Sequence, residues 1–495
     1  MGGEVPQLQR VRFACLGVGY MGRTALGALA SLRQLLGPAC AIELFVADPE
    51  ANVRSATLER FPHAIAAPDS HETLDKVIRL TAEDRVPAII YDATPPHVRA
   101  GNLDTVATAR KNGYPITLLL EKPIAVTADE LTRISLYAPS DDFFCDFIDI
   151  GNDAFRALRG YIRDNSLVID RIACWRANSS GIRRSLGDGR DGVQGGALLD
   201  KAAHDVALVA CLLASEDALY EAAEIHHTVP NSSTSWHSVD GRIEFGNGPD
   251  VWGKDDLLLP ADGTTSVDSV WRVGERDVPV SFVWGWLGTT GISHEADIVQ
   301  VLANLGHTRP FILNHVVDLV EEQRKYRSVT EPGLFPWHPK VFSDDDVRLL
   351  VLSCGSHTLV CNLLGKAPAP GVAIGRYVLD YVDGQEHVVF ESPTGTDLRR
   401  VNRTDLAHVL GLALRSQTDP GCAVDISRRR AEFVHRFVID ARALAFFDFE
   451  ATAGHFATVQ QESIDLIERK LRTTAATRLP NEADAGGPPM PPQKH

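Results

Sequence analysis

The chain has 495 residues, of which 44% are hydrophobic and 23% charged, a composition typical of a globular protein with a full core and two or three domains. Its formal net charge of −16 argues against a protein that binds the phosphate backbone of nucleic acids, because such a protein needs a basic face. Residues 1–12 have no apolar signal core, and no apolar run is long enough to span a bilayer, so we expect a cytoplasmic protein without a membrane partner.

Strands and helices alternate in the first part of the chain. Buried strands are predicted at 11–16, 42–47, 88–91 and 116–120, and helices at 21–36, 71–85 and 98–112. Such alternation is typical of parallel βαβ units. We therefore predict a doubly wound parallel sheet, a Rossmann-type domain, over residues 1–140.

The sequence pattern changes after residue 165. Strands are predicted at 168–175, 278–284, 376–382 and 385–390, and the last two flank Asp383-Gly384, a typical hairpin turn. Helices are predicted at 198–213, 314–327, 406–415, 428–446 and 456–472. We expect a second domain over 141–474, built on an antiparallel or mixed sheet with helices on one face. Pro, Gly, Asp and Gln dominate 475–495, which predicts a disordered tail.

A glycine motif joins the first strand to the first helix. Gly17 permits a tight turn, Gly19 lets the backbone approach a pyrophosphate, and Gly22 allows close packing of helix and strand. Asp48 ends the second strand, where a carboxylate can accept hydrogen bonds from ribose hydroxyls and repel a 2′-phosphate. The motif predicts a site for NAD, with NADP as the alternative because Arg54 is nearby. A glycine turn without a ligand is the structural alternative.

The segment Glu121-Lys122-Pro123 follows the strand at 116–120, at the edge of the sheet where open α/β folds bind ligands. Oxidation of a secondary alcohol needs a base for the hydroxyl proton while hydride leaves for a nicotinamide. Burial favours the neutral, basic form of a lysine, so Lys122 is a candidate for this base. We predict a cis Lys122–Pro123 peptide bond, which would aim the lysine inward. The alternative is a solvated surface lysine.

Asp200 and His204 are four residues apart and share one face of the predicted helix. The aspartate can orient or stabilise the imidazole, and histidine titrates in a range that suits proton transfer. The pair is therefore a candidate acid–base unit. A capping acid beside a buried structural histidine is the alternative.

Metal and disulfide chemistry are not indicated by the sequence. The 17 histidines and 8 cysteines form no HExxH motif, no Cys-x-x-Cys motif and no cysteine–histidine cluster, so we predict no metal site. The cysteines are scattered, mostly through apolar stretches, which favours buried free thiols in a reducing compartment.

These residues together resemble the glucose–fructose oxidoreductase / inositol dehydrogenase / MocA family. The resemblance is carried by the segments 16–22, 93–97, 121–123 and 195–205, covers residues 10–215, and returns weakly at 404–446. It implies an N-terminal Rossmann domain and a C-terminal α+β domain with a large, open, mostly antiparallel sheet. That sheet is often used for oligomer contacts, so we expect a homo-oligomer, a dimer or a tetramer.

The resemblance also implies roles for individual residues. Lys122, Asp200 and His204 match the family's catalytic lysine, carboxylate and histidine. Positions that match the cofactor-binding positions are Gly17, Gly19, Tyr20, Met21, Gly22, Thr94, Pro95, His97 and Glu121, of which the last four line the nicotinamide side. Typical substrates are sugars, cyclitols and their derivatives.

Two features depart from the family pattern. Many members carry an Arg-Phe-x-Pro-like segment where this chain has residues 149–155, and extra sequence lies between about 225 and 400. The loop 178–194 contains Arg183 and Arg184, which are candidates to hold an anionic substrate group, and Trp175 is a candidate to stack on a sugar. A solvated loop and a core tryptophan are the alternatives.

Three functions are consistent with the sequence. The first is an NAD(P)-dependent dehydrogenase or reductase that moves hydride between nicotinamide and a secondary hydroxyl or ketone of a sugar or cyclitol. The second keeps NAD tightly bound for transient oxidation, as in some relatives that cleave glycosidic bonds or epimerise sugars. The third is a non-catalytic NAD-binding regulatory protein, against which the lysine, aspartate and histidine argue.

Overall fold

The computed structural model describes residues 10–36, 40–125, 127–137, 143–177, 201–213, 223–230, 264–285, 347–363, 376–383, 385–392, 398–416, 423 and 425–441. The predicted helices at 314–327 and 456–472 and the predicted tail at 475–495 lie outside these residues. Within them, no helix is both long enough and apolar enough to cross a bilayer.

The first sheet contains six described strands, all parallel. They are β1 (Arg10–Leu16), β2 (Ala41–Ala47), β3 (Ile65–Ala67), β4 (Ala88–Asp92), β5 (Ile116–Glu121) and β6 (Phe143–Asp146). Their order across the sheet is β3-β2-β1-β4-β5-β6. The order reverses between β1 and β4, which creates the crevice where doubly wound folds bind ligands. The predicted Rossmann-type sheet is confirmed.

Helices connect these parallel strands. They are α1 (Tyr20–Leu36), α2 (Ala51–Arg60), α3 (Ser70–Asp84), α4 (Pro96–Lys111) and α5 (Ala128–Tyr137). Every residue of β4 is buried, as expected for a central parallel strand covered on both faces. The sequence did not predict α2, because it buries only Thr57 and so lacks a continuous apolar stripe.

The second sheet contains eight described strands. They are β7 (Arg171–Ala177), β8 (Ala223–Pro230), β9 (Thr264–Val273), β10 (Arg276–Gly285), β11 (Val347–Cys354), β12 (His357–Asn362), β13 (Tyr377–Val382) and β14 (Gln385–Glu391). Their order is β14-β13-β12-β11-β7-β10-β9-β8. Only the described pair β7/β10 is parallel, so the predicted mostly antiparallel sheet is confirmed.

One strand of this sheet begins later than predicted. We expected it at residue 168, but β7 begins at Arg171. The backbone N–H of Asp170 donates to the carbonyl oxygen of Ser353 at 2.8 Å, and its carboxylate accepts from the N–H of Gly355 at 2.7 Å. Asp170 therefore fixes the turn between β11 and β12, directly before the strand starts.

Helices from the later part of the chain contact both sheets. A 3₁₀ helix, η1, lies at Ile148–Gly151, followed by α6 (Asp153–Asp164), α7 (Ala203–Leu213), α8 (Leu398–Arg415) and α9 (428–441). α6 packs against β12, β13 and β14, whereas α8 packs against α1 and η1. Helix α8 also contacts β5 and β6 of the first, parallel sheet, although it belongs to the residues 141–474 that we expected to form the second domain.

Candidate functional site

The glycine motif forms the turn between β1 and α1. Gly17 has a φ of 79°, and a Cβ there would lie 3.0 Å from the carbonyl oxygen of Ala93. A Cβ on Gly22 would lie 2.0 Å from the carbonyl oxygen of Gly17, so a larger residue requires the turn to move. A Cβ on Gly19 would meet nothing within 4 Å. This open space at the start of α1 fits a pyrophosphate held by the helix N-terminus.

Asp48 is fixed against this turn. Its Oδ2 accepts a hydrogen bond from the N–H of Val18 at 2.7 Å, and its Oδ1 accepts from the N–H of Glu50 at 2.9 Å. Arg54 donates to the carbonyl oxygens of Asp48 and Pro49 at 2.7 and 2.8 Å. The carboxylate keeps lone pairs for a ribose hydroxyl. The guanidinium is bonded to backbone carbonyls, a contact that a 2′-phosphate would have to replace.

Of the other residues predicted to bind the cofactor, Tyr20 is exposed and Met21 packs partly into the core. Thr94 is buried at the end of β4, where the Oδ1 of Asp92 accepts from its N–H at 3.0 Å and from its hydroxyl at 2.5 Å. Pro95 is exposed, and the side chain of His97 lies outside the described residues.

Arg99 joins two of the predicted segments, and sequence reasoning missed it. It is buried, and it donates to the carbonyl oxygens of Thr94 at 2.6 Å, Pro123 at 2.7 Å, and Glu121. Its guanidinium also lies 3.6 Å from the Glu121 carboxylate. Arg99 therefore holds the Thr94 turn and the segment around Lys122 together. A lone arginine in the first turn of a helix gives no sequence signal for this role.

Lys122 lies directly after β5, half-buried, and the predicted cis Lys122–Pro123 peptide bond is confirmed. The same edge of the sheet carries Asp146, the last residue of β6, which pairs with Glu121 in the strand register. Asp146 is buried and accepts a hydrogen bond from the hydroxyl of Tyr91 at 2.7 Å.

Burial raises the pKa of Asp146 to about 7, although the Tyr91 hydrogen bond and the charge of Lys122 oppose the shift. Asp146 is therefore a buried carboxyl that titrates near neutral pH within electrostatic range of Lys122, and sequence reasoning missed it. The available signal was its position at the end of a buried strand, where Asp92 and Glu121 also lie.

His204 lies in the first turn of α7, and 12% of its side chain is exposed. Burial holds its pKa well below the ordinary value, the charge of Lys122 lowers it further, and the charge of Asp149 raises it. The imidazole is thus neutral near neutral pH and can accept a proton. His204 therefore lies within electrostatic range of Lys122. Asp200 and the substrate candidates Arg183 and Arg184 lie outside the described residues, as does the side chain of Trp175.

A buried network of charges lies behind His204. Arg176 donates to Asp149 at 2.6 Å and to Asp205 at 2.8 Å, and the indole N–H of Trp284 donates to Asp205 at 2.9 Å. Asp149 also lies 3.5 Å from a guanidinium nitrogen of Arg348. Asp149 begins the segment that departs from the family pattern, and the sequence did not predict its position beside the histidine.

The C-terminal helix α9 contacts the loop after Lys122. The N–H of Ile124 donates to the Nε2 of His435 at 3.0 Å, and the Nδ1 of His435 donates to the carbonyl oxygen of Ala431 at 2.7 Å. Both contacts are satisfied by a neutral imidazole. Burial lowers the pKa of His435 to about 4, although the hydrogen bond to Ala431 opposes the shift.

We expect His435 to make folding stability depend on pH. An unfolded histidine binds its proton near pH 6.5, whereas the folded protein does so only near pH 4. The unfolded state binds more protons in this window, so stability falls as the pH drops through it, by about 3 kcal/mol from this group. In urea titrations between pH 7 and 4, His435→Gln should weaken this dependence, while His63→Gln at an exposed site should leave it unchanged. Equal dependence in all three proteins would contradict the assignment.

Among the described residues, no group of three or more histidine, cysteine, aspartate and glutamate side chains is arranged to hold a metal ion. Each of the described cysteines is buried and none forms a disulfide. Burial raises the pKa of Cys145 and Cys174 well above the ordinary range, so neither thiol is set up as a nucleophile.

Comparison with known proteins gives a structural likeness only. No protein-family model matches the sequence, and no curated protein matches it. An aldose–aldose oxidoreductase from Caulobacter crescentus in complex with glycerol superposes with a TM-score of 0.55 and 10% identity, over 89% of this chain and 98% of that one. Myo-inositol 2-dehydrogenase from Lactobacillus plantarum gives 0.53 and 10%, over 89% and 98%.

Levoglucosan dehydrogenase in complex with NADH and levoglucosan gives a TM-score of 0.54 and 12% identity, over 88% of this chain and 97% of that one. This chain shares their fold. The structures are of the glucose–fructose oxidoreductase / inositol dehydrogenase / MocA type, so the fold that the motifs implied is confirmed for the two sheets and their helices in the described residues.

Proposed function

We propose that the protein is an NAD-dependent oxidoreductase that transfers hydride between the nicotinamide and a secondary hydroxyl or ketone of a sugar, a cyclitol or a derivative. The proposal is supported by the position of Lys122, which follows β5 at the carboxyl edge of the sheet that bears the glycine turn, and by His204 of α7, whose pKa the charge of Lys122 lowers. Oxidation of an alcohol needs a proton acceptor beside the carbon that loses hydride; His204 would supply it, and Lys122 would supply a positive charge for the substrate oxygen.

The residues of the first domain suit NAD. The open backbone at Gly19 would hold the pyrophosphate and Asp48 would accept hydrogen bonds from the ribose. NAD would supply the hydride acceptor. NADP is the alternative, supported by Arg23 and Arg60, which line a cleft of about 280 Å³ between α1 and α2, next to Val18.

Lys122 and His204 would have different roles at the substrate oxygen. The ammonium of Lys122 stabilises negative charge on the oxygen as its proton leaves, and the neutral imidazole of His204 accepts that proton. Asp200 supports the pair. Arg183, Arg184 and Trp175 are proposed to contact the substrate. The predicted homo-oligomer and cytoplasmic location stay predictions.

The neighbours in fold support the substrate class. They are described as acting on aldoses, myo-inositol and levoglucosan. All three compounds carry secondary hydroxyl groups on a ring. The substrate proposed for this chain has the same chemical feature.

A panel of sugars, cyclitols and their phosphates tests the proposal. The purified protein is incubated with NAD and each compound, and the absorbance of the reduced nicotinamide is followed. We expect a signal with one class, and a preference for phosphorylated members would assign the loop arginines to phosphate binding. If none of the compounds causes NAD to be reduced, the result would contradict a dehydrogenase that exchanges its cofactor.

A second candidate function is favoured by Asp146. Burial raises the pKa of this carboxyl to about 7, and we infer that it would be the proton donor to a leaving group. That arrangement suits an enzyme that oxidises its substrate transiently with tightly bound NAD and then cleaves or epimerises it. Such a protein would release NAD on denaturation in roughly equal amount to protein and would show turnover without net reduction.

A further inference from the structure

Asp149 is placed to act on His204. η1 brings its Oδ2 to 3.7 Å from the Nδ1 of His204, and the carboxylate is almost fully buried. Within the part of the chain that the structure describes, this Nδ1 is buried and has no hydrogen-bond partner. This distance between the Oδ2 of Asp149 and the Nδ1 of His204 is slightly too long for a hydrogen bond, and a small rotation of the imidazole ring would shorten it.

Two arginines hold the carboxylate in this position. Arg176, on β7, donates to the Oδ2 of Asp149 at 2.6 Å. A guanidinium nitrogen of Arg348, on β11, lies 3.5 Å from the Oδ1. Burial raises the pKa of Asp149, but Arg176, His204 and Arg348 lower it more, so it stays well below the usual range. Asp149 is therefore a fixed negative charge that does not take up the proton of its neighbours.

We propose that Asp149 is a positioning residue, which orients the imidazole of His204 through Nδ1–H and stabilises its positive charge after proton transfer. This inference rests on the proposed function. In the step concerned, the O–H bond of the substrate breaks and an N–H bond forms at the Nε2 of His204. The resulting imidazolium then pairs with Asp149, an arrangement that obeys the same logic as the orienting carboxylate of a catalytic triad.

The charges around His204 show why this carboxylate matters. Lys122 from the loop after β5, Arg176 from β7 and Arg348 from β11 all disfavour a second positive charge on the imidazole, whereas Asp149 from η1 favours it. Without Asp149, three positive charges would oppose the proton transfer. The acidic limb of the rate profile should then move to lower pH, because His204 becomes harder to protonate.

Asp149→Asn keeps the shape of the side chain and removes its charge. We expect kcat to fall at least about tenfold, the acidic limb of log kcat to move down by about one pH unit, and KM to change less than about threefold. Asp149→Glu should recover part of the rate. The matched control is Asp405→Asn, which removes another buried carboxylate that binds an arginine, Arg376, at 3.0 and 2.5 Å. This variant should have a lower free energy of unfolding, but the acidic limb of its log kcat profile should stay in place.

A measurement on the wild-type protein makes the test independent of turnover and of the folding of the Asp149 variants. Imidazole nitrogen NMR on isotope-labelled histidine, with the His204 signals assigned from His204→Gln, reports which ring nitrogen carries the proton. We expect Nδ1–H. A ring protonated at Nε2, or Asp149→Asn with an unchanged rate and pH limb, overturns the inference. If no compound is turned over, the proposed function fails, and the spectrum still decides the pairing of Asp149 with His204.

Discussion

Replacing Lys122 with methionine should reduce turnover by about 10²- to 10⁴-fold while leaving NAD affinity within about threefold. Methionine keeps an unbranched side chain at this half-buried position but can neither carry the positive charge nor exchange a proton. The glycine turn and Asp48, which would hold the other end of the dinucleotide, are untouched. Steady-state rates and a titration with NAD, both on the purified variant, measure the two effects separately.

The control for Lys122 is an exposed lysine in the same domain. Lys111 ends α4, and Lys111→Met should leave both turnover and NAD affinity unchanged. Undiminished turnover in Lys122→Met would remove the lysine from the chemistry. Loss of NAD binding together with turnover would instead show that the substitution disturbs the fold of the loop.

Gly22 and Gly19 should respond differently to replacement by alanine. Gly22→Ala places a Cβ 2.0 Å from a backbone carbonyl, so we expect a loss of about 1–3 kcal/mol of stability and of NAD binding with it. Gly19→Ala meets open space, so stability should stay within about 0.5 kcal/mol. NAD affinity should still fall at least about tenfold, because the methyl group occupies the place where the pyrophosphate approaches.

Gly101 provides the matched control in an exposed part of α4. A Cβ there meets nothing within 4 Å, so Gly101→Ala should keep NAD affinity and raise stability by up to about 1 kcal/mol through helix propensity. Thermal unfolding and NAD titration of the four proteins test the set. Equal NAD affinity in Gly19→Ala and wild type would contradict a pyrophosphate site at this turn.

The sequence predicted the elements whose signals are local. Buried parallel strands are continuous apolar runs, and the glycine motif follows one of them, so β1, β2, β4, β5 and the turn were predictable, whereas the short strands β3 and β6 were not. The hairpin at 377–391 was also predictable, because Asp383 adopts a φ of 52° that an Asp-Gly pair favours.

The contacts that complete the site join distant segments, which no local pattern reveals. His435 contacts a residue 311 positions earlier, and Asp149 lies 27 and 55 positions before Arg176 and His204. Each of these residues is ordinary in its own segment. Their pairing depends on how the second sheet and helices α8 and α9 pack against the first sheet. No local sequence pattern specifies that packing.

Transfer of deuterium tests the central claim most directly. The purified protein is incubated with NAD and a set of sugars and cyclitols that carry deuterium on their carbinol carbons, and mass spectrometry then examines the nucleotide. We expect one deuterium in the nicotinamide ring with wild-type protein and none with Lys122→Met. Bound but unlabelled nucleotide after incubation with every compound would contradict hydride transfer, and would leave a protein that only binds NAD.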